Sequence, residues 1–582
     1  MKNPISIIFL FLSIIICAWL SFSGIRWGIP SKERADMVLS QNMRTGEFYA
    51  QMEKSREDIY KHSNNSPLGR TENKEGSALS PILKSLGVTG NEILIYTGQA
   101  NILSNFVRPY MIRTYHTDEQ MTIASLSRMK PGQFDLDPRI YQYGGLYIYG
   151  MGAYFYALKS AGILKLSGNP AFYYANPDEI GKFFVAGRAL NTVFMLLIII
   201  AVYLLANRFY GPRTAALSAL FTSVCPAFIF QTHIMKPYIG GTLFVIMSLY
   251  FAMKAFETEK IRHLMYGGLS AGLAAAMMPV YGIILCAPII SFFMLKKKTV
   301  PHIVYPLIMF AFTFLLVNPY WLINFKDVLA ELTASSRFYA TSSSGIMSLL
   351  GFMYDQGKIS MTEVLFILAF IGSVYTMLKR ERISFIPVFT GSIFFIFFTL
   401  LLRNNGISPH NTRFLLPAAA IFIIIAASSL EKLLRKNIAA IAVISLLALF
   451  LEFRASYVIA SNFNIDSTAM STRILAGNWV NANVKKGSYV GIVEMPEPSH
   501  VPPFVFSNYK IVVFRNNPFD TDVDYLIFER AIPDLFTNSA AFDKYALEKQ
   551  FLPSDTFLAA KYPLSASHLN SSIYIFGRNS RK

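Results

Sequence analysis

The sequence predicts a polytopic α-helical membrane protein that ends in a soluble mixed α/β domain. Three observations carry that reading. Apolar runs of about 17–25 residues, each long enough to cross a bilayer as a helix, recur along the chain. Charged residues make up only 15% of the 582 residues, against roughly 25% in ordinary soluble domains, and the mean hydropathy is +0.39. After about residue 455 the apolar runs give way to soluble composition and short β-rich stretches.

Taken in order, Lys2 precedes an apolar run over 5–22 with no convincing small-residue cleavage site after it. Gly24-Ile25-Arg26-Trp27-Gly28-Ile29-Pro30 follows, so the run reads as an uncleaved first helix with its N-terminus inside. A polar segment spans 30–182, charged and helix-prone near 34–58. Its second part holds His116-Thr117-Asp118-Glu119-Gln120 and then Tyr141-Gln142-Tyr143-Gly144-Gly145-Leu146-Tyr147. The stretch 147–166 is apolar but rich in Tyr and Gly, and both a span and a helix lying along the interface fit it.

Regular spans begin at Phe183: 183–206, 214–231, 240–255, 265–278, 280–295, 303–317, 364–377, 385–402, 414–429 and 438–451. The pair meeting at Pro279 is short, as for helices that stop before the far side. With the first helix this makes about 11 transmembrane helices. One set of short loops carries Arg208, Arg213, Lys254, Lys260, Arg262, Lys296 to Lys298, Lys379, Arg380, Arg382, Lys432, Arg435 and Lys436, while the other offers Lys236, Arg403 and Arg413. Basic loops mark the cytoplasmic side. The expected protein is therefore an integral protein of the cytoplasmic (inner) membrane, with its N-terminus inside. The segments 30–182 and 320–361 and the tail lie outside. The same distribution accounts for the net charge of +18 without a nucleic-acid partner.

The tail reads as a helix over 468–484 followed by strands at 489–493, 510–514, 525–528 and 573–576, so the chain divides into a membrane module, 1–454, and an external domain, 455–582. Cys17, Cys225 and Cys286 each fall inside apolar runs, where cysteine behaves as a small hydrophobe.

The chemistry gathers in the loops. Two adjacent acids in a loop are ordinarily just solvated. Asp118 and Glu119, however, open a helical pattern (Met121, Ile123, Ala124, Leu126, Met129) beside an aromatic interfacial stretch. A carboxylate held there suits a general base acting on a hydroxyl, with Glu119 and His116 in support. Arg413, at an external helix end in His410-Asn411-Thr412-Arg413-Phe414-Leu415-Leu416-Pro417, is either an interfacial anchor or a clamp for a lipid-linked phosphate. Lys236 and His233 occupy a second external helix end, and Arg188 is a fourth cationic candidate. Tyr143 and Tyr147 would line the path of a lipid-borne substrate. Asp178-Glu179 after Pro177 reads as an ordinary helix start. The sequence holds no nucleotide phosphate loop, dinucleotide fingerprint or zinc signature, and no ligand cluster that requires a divalent metal.

Together these pieces resemble the GT-C superfamily of polytopic glycosyltransferases. The nearest group is that of dolichyl-phosphate-mannose protein mannosyltransferases and aminoarabinose transferases. His116-Thr117-Asp118-Glu119 is similar to that group's first-loop acidic motif, Gly187-Arg188 to its second-helix start, and Arg413 to Pro417 to its late Arg-aromatic-Leu-Leu-Pro motif. The resemblance covers roughly 25–429. It implies an inverting transferase that takes a sugar from a polyprenyl-phosphate carrier and passes it to a hydroxyl of a protein, lipid or glycan acceptor. Asp118 and Glu119 would be catalytic, and Arg413, Lys236, His233, Arg188, His116, Tyr143 and Tyr147 would bind substrate. The chain departs from the pattern at Tyr238, where relatives often carry an Asp after Lys-Pro. The alternatives are a transporter or flippase for lipid-linked sugars, which would call for ionisable groups within the spans, and a degenerate family member that acts as a scaffold.

Overall fold

The computed structural model describes residues 4–62, 94–338, 346–403, 409–435, 437–492, 495–513, 522–529, 544–553 and 569–579. Seven of its helices are long and apolar enough to cross a membrane: Pro4–Phe22, Pro177–Phe209, Tyr238–Thr258, Val300–Val317, Arg382–Leu402, Leu416–Leu433 and Ile438–Asp466. Counting each bent pair as one span raises the number to 9. Pro212–Ser223 and Pro226–Thr232 bend by 50° where Pro226 cannot donate a backbone hydrogen bond. Ile346–Met361 and Glu363–Lys379 bend by 114° at Thr362, whose φ is +55°. Beyond Met277 the chain tightens into a 3₁₀ turn at Pro279–Leu285 and resumes as Cys286–Met294, so this apolar pair is indeed short.

Proline at or beside the first helical position starts the helices Pro177–Phe209, Pro212–Ser223, Pro226–Thr232 and Leu416–Leu433. The basic loops gather at one end of the bundle, where Arg208 pairs with Glu257, Lys432 with Glu381, and Thr214 bonds Glu431 at 2.6 Å. The expected spans took in Arg188 but stopped short of the buried acids Glu452 and Asp466 of the last helix. Arg188 lies just beyond the third turn of Pro177–Phe209. Glu452 extends the last helix past 451 and accepts from Thr362 Oγ1 at 2.7 Å, beside the sharp bend.

The sheet has six strands in the order β1-β3-β2-β4-β6-β5, with β1 Leu94–Tyr96, β2 Tyr489–Ile492, β3 Lys510–Val513, β4 Tyr525–Glu529, β5 Tyr545–Phe551 and β6 Ile573–Arg578. β2 runs parallel to β3 and β4, while β1, β6 and β5 are antiparallel to their neighbours. Alternation along the strands splits the apolar residues between two faces. Val490, Ile511, Val513, Ile527 and Ile575 pack on the large face with the Thr472–Asn483 helix. Val512, Leu526, Phe528 and Phe576 form the other.

The tail alone does not complete this unit. β1 comes from the long loop and pairs with β3, and loop helices Lys32–Val38, Gly46–His62 and Ala100–Ile112 supply Val38, Met52, Leu103, Phe106 and Tyr110 to the same core. The reading of the tail also missed β5. Its middle, Ala-Leu-Glu-Lys-Gln, is exposed and lacks the apolar alternation that marks a half-buried strand. The stretch that fitted either a span or an interfacial helix is a helix of 16 residues, Gly145–Ser160, with Tyr147, Ile148, Met151 and Phe155 turned inward.

Candidate active site

Asp118 stands immediately before the helix Glu119–Arg128, and its carboxylate makes no capping bond to that helix. It receives Lys236 Nζ instead. The side chain of Lys236 is 2% exposed and that of Asp118 is 37% exposed, so the ammonium is sealed in while the carboxylate still faces an opening. Burial disfavours the charged form of Asp118. The positive charges of Lys236, His116 and Arg413 outweigh that effect and hold the carboxyl well below the usual range. Burial, with Arg413 adding to it and Asp118 opposing, pushes Lys236 down to about 8.

The turn that presents Lys236 is fixed by its backbone. Trp27 Nε1 donates to His233 O at 2.8 Å, Asn191 Nδ2 to Ile234 O at 2.6 Å, and Tyr147 Oη to Met235 O at 3.0 Å. Met235 N donates to Glu119 Oε1 at 2.7 Å. A Cβ on Gly187 would stand 2.2 Å from Met235 Sδ, so the absence of a side chain there lets the long helix touch this turn.

Glu119 is the partner of Arg188. Arg188 Nε and Nη2 donate to its two carboxylate oxygens at 2.9 and 2.7 Å, and Thr114 Oγ1 lies 2.7 Å from Oε2. Both side chains are 0% exposed. Arg188 Nη1 also donates to Ile25 O and Trp27 O, each at 2.8 Å, and the guanidinium stacks 5.2 Å from the Trp27 ring. The geometry therefore corrects two expectations. Glu119 is sealed from solvent with both carboxylate oxygens hydrogen-bonded, and Arg188 directs its fork to Glu119 and backbone carbonyls. Their work is to weld the acidic loop, the first helix and the Lys236 turn together.

His233 is corrected in the same way. Its ring nitrogens face Ile229 O and Ser23 O, each at 2.8 Å, and the ring stacks on Phe463 at 4.1 Å, so it is part of the packed core. His116 is buried beside Asp118 and contributes positive charge to it.

Arg413, buried on its short 3₁₀ turn Pro409–Phe414, lies 5.6 Å from the Tyr238 ring and 4.8 Å from that of Phe414. Tyr281 Oη fixes the Arg413 carbonyl at 2.6 Å. Lys236 Nζ is 5.8 Å from the same Tyr238 ring, so one aromatic stands between two cations. The position where an acid was expected is thus filled by a π surface that spaces positive charge. Tyr143 completes the wall: burial, with Asp118 nearby, raises its phenol well above the usual range, and it meets Tyr147 edge-on at 5.9 Å. Tyr147 itself is tied to Thr122 at 3.1 Å. Asp178 accepts from Lys32 N at 3.2 Å at the start of its helix, well removed in role from this cluster.

Trp27, Thr114, Asn191 and Tyr281 were missed by sequence reasoning. Of these, Trp27 carried the best signal, as one of 4 tryptophans, set between two glycines and a proline. Among the described residues, no group of three or more His, Cys, Asp and Glu stands together as a metal site.

Residues 179–323 match the family model described as dolichyl-phosphate-mannose-protein mannosyltransferase. No curated protein matches the chain in sequence. Among solved structures it is similar to ArnT from Cupriavidus metallidurans bound to undecaprenyl phosphate, with 13% identity, 81% of this chain and 95% of that one covered, and a TM-score of 0.42. It is also similar to the oligosaccharyltransferase of Archaeoglobus fulgidus, with 12% identity, 67% and 62% covered, and a TM-score of 0.37. The arabinofuranosyltransferase AftD from Mycobacteria matches at 12% identity, with 73% of this chain and 35% of that one covered, and a TM-score of 0.35. Over residues 179–323 the chain is similar to the dolichyl-phosphate-mannose-protein mannosyltransferase family, one of the GT-C glycosyltransferases.

Proposed function

We propose that this chain is an inverting glycosyltransferase that moves a sugar from a polyprenyl-phosphate carrier to an acceptor hydroxyl at the external membrane face. The observation that carries the reading is an ionised, part-exposed Asp118 set beside two buried cations, Lys236 and Arg413. That combination matches what the reaction needs. The acceptor oxygen attacks the anomeric carbon and its proton passes to Asp118. The bond from that carbon to the phosphate oxygen breaks, its electron pair staying on the phosphate, where Arg413 and Lys236 stabilise the charge. Attack and departure on opposite faces invert the anomeric centre, as in the two-sided geometry of inverting glycosidases.

Lys236 has two tasks in this scheme. Without donor it neutralises Asp118. An arriving phosphate competes for the ammonium, and as Lys236 turns to it the carboxylate loses its strongest positive neighbour and becomes a better base. Glu119 and Arg188 act by positioning, holding the loop and the Lys236 turn in register. No step requires a metal or a nucleotide.

The test is transfer of label from a radiolabelled polyprenyl-phosphate sugar by purified protein supplied with cell-envelope acceptors. Asp118→Asn should abolish transfer and Asp178→Asn should leave it intact. Undiminished transfer by Asp118→Asn would remove the base from the scheme, and carrier movement without transfer would make the protein a flippase.

A further inference from the structure

The buried Arg473, in the helix Thr472–Asn483 of the sheet unit, is not used by the reaction. Its guanidinium pairs with Asp466 at 3.5 Å and Glu529 at 3.2 Å, and donates to Ser499 O at 2.8 Å and Ser571 Oγ at 2.9 Å. These contacts tie the end of the last membrane helix to β4, the start of β6 and the loop between β2 and β3. One flat face of the same guanidinium lies 4.5 Å from the ring of Tyr115.

Tyr115 belongs to the acidic loop, three residues before Asp118 and next to Thr114 and His116. A second arginine, Arg34, stands 5.6 Å from its ring, and Trp27 meets it edge-on at 6.2 Å. Its backbone N–H donates to Gly28 O at 3.1 Å. Gly28 has φ +56°, and a Cβ there would enter the tyrosine ring at 2.4 Å, so the ring is pressed against bare backbone. Trp27 in turn carries Arg188, the partner of Glu119. A continuous stack therefore runs from the core of the sheet unit to the acidic pair.

We propose that Tyr115 and Arg473 form a positioning clasp through which the sheet unit holds the Asp118 loop in register with Lys236. Stacking suits this task because a guanidinium over a π face fixes orientation as well as distance. The clasp rests on the proposed reaction for its functional meaning but not for its existence. The sheet unit then serves as part of the catalytic frame, and its loss disables Asp118 without touching the phosphate-binding cations.

Tyr115→Leu removes the π face, Tyr115→Phe keeps it and gives up only the hydroxyl bonded to Ser471 and Arg34, and both leave the buried charges of Arg473 compensated. Tyr115→Leu should cut kcat by about tenfold or more while donor KM stays within about threefold, with Tyr115→Phe close to wild type. Amide hydrogen exchange read by mass spectrometry should rise over 114–120 in Tyr115→Leu, and not in Tyr115→Phe, with the Pro177–Phe209 helix still protected. Unchanged exchange over 114–120 in Tyr115→Leu, or a rise in KM with kcat unmoved, would overturn the clasp. The exchange readout needs no turnover. Absence of transfer by the wild-type protein therefore counts against the reaction, and the clasp is judged separately.

Discussion

Asp118 and Glu119 are adjacent in sequence and opposite in circumstance. Asp118 keeps 37% of its side chain exposed and receives the ammonium of Lys236, which is itself 2% exposed. Glu119 has no exposure and accepts from a bidentate arginine, a backbone amide and a threonine. Rotation by one residue around a helix start is enough to turn one carboxylate toward an opening and its neighbour into the protein. An acidic pair thus falls into two environments, a part-exposed carboxylate, which the proposed reaction uses as its base, and a sealed anchor beside it. Substitutions of the two should fail in different ways.

The largest effect should come from Asp118→Asn. A positioned base contributes about 10²–10⁴-fold, and transfer should fall by at least that factor. Melting temperature should change less than in the Glu119 variant, since the carboxylate is part-exposed and the buried Lys236, already pushed down to about 8, can shed its proton. Parallel transfer and thermal-unfolding measurements on the purified protein check both halves. A comparable loss of thermal stability would place Asp118 with Glu119 as an anchor.

Glu119→Ala should do the reverse. It strands Arg188 in the interior, and breaking such a buried pair costs about 3–5 kcal/mol, so a marked drop in melting temperature should precede any interpretation of activity. Joint replacement of Glu119 and Arg188 by Leu and Met removes both charges and should recover much of that stability without recovering transfer, because the bond to Met235 N is still missing. Recovery of transfer by the apolar pair would show that the register of the Lys236 turn does not depend on Glu119.

The difference between the two acids also marks how far sequence could reach. Asp118 and Lys236 were legible because each sits where local pattern shows through: an acid before a helical run, and a lysine before proline at a helix end. The jobs of Glu119, Arg188 and His233 were not legible, since each depends on which carbonyls lie opposite across long separations, and a charged residue in a loop gives no sign of them. Hydropathy found the membrane block. Of the about 11 spans expected, however, 7, or 9 with the bent pairs, are long and apolar enough among the described residues, because apolar stretches broken at prolines such as Pro279 fold as short pieces. β1 was not legible, as a strand of 3 residues has too few positions to display a period. The contribution of the long loop's helices to the sheet core was hidden for another reason: their partners lie far along the chain, in the tail.

Arg413→Lys tests the cationic half of the comparison with a smaller effect. Lysine keeps the charge and loses the fork and the stacking on Tyr238 and Phe414. Donor KM should rise by about tenfold with kcat less affected, as measured by initial rates over a range of carrier concentrations. A loss confined to kcat would assign Arg413 to the departing charge alone.

The mildest probe is pH, and it separates Lys236 from everything around it. Asp118 stays ionised throughout the range in which the protein is handled, so its titration should add no acid limb above the ordinary carboxylate range. Lys236, pushed down to about 8, is charged below that value and neutral above it, so donor KM should rise as pH passes through about 8. Unfolding does not explain that limb. Between about 8 and the ordinary lysine value of 10.5 the unfolded chain binds the Lys236 proton more tightly than the folded one, so this group makes the fold more stable as pH rises. A variant Lys236→Arg, charged at every accessible pH, should lose the alkaline limb while retaining weaker donor binding. Persistence of the limb in Lys236→Arg would transfer it to another group.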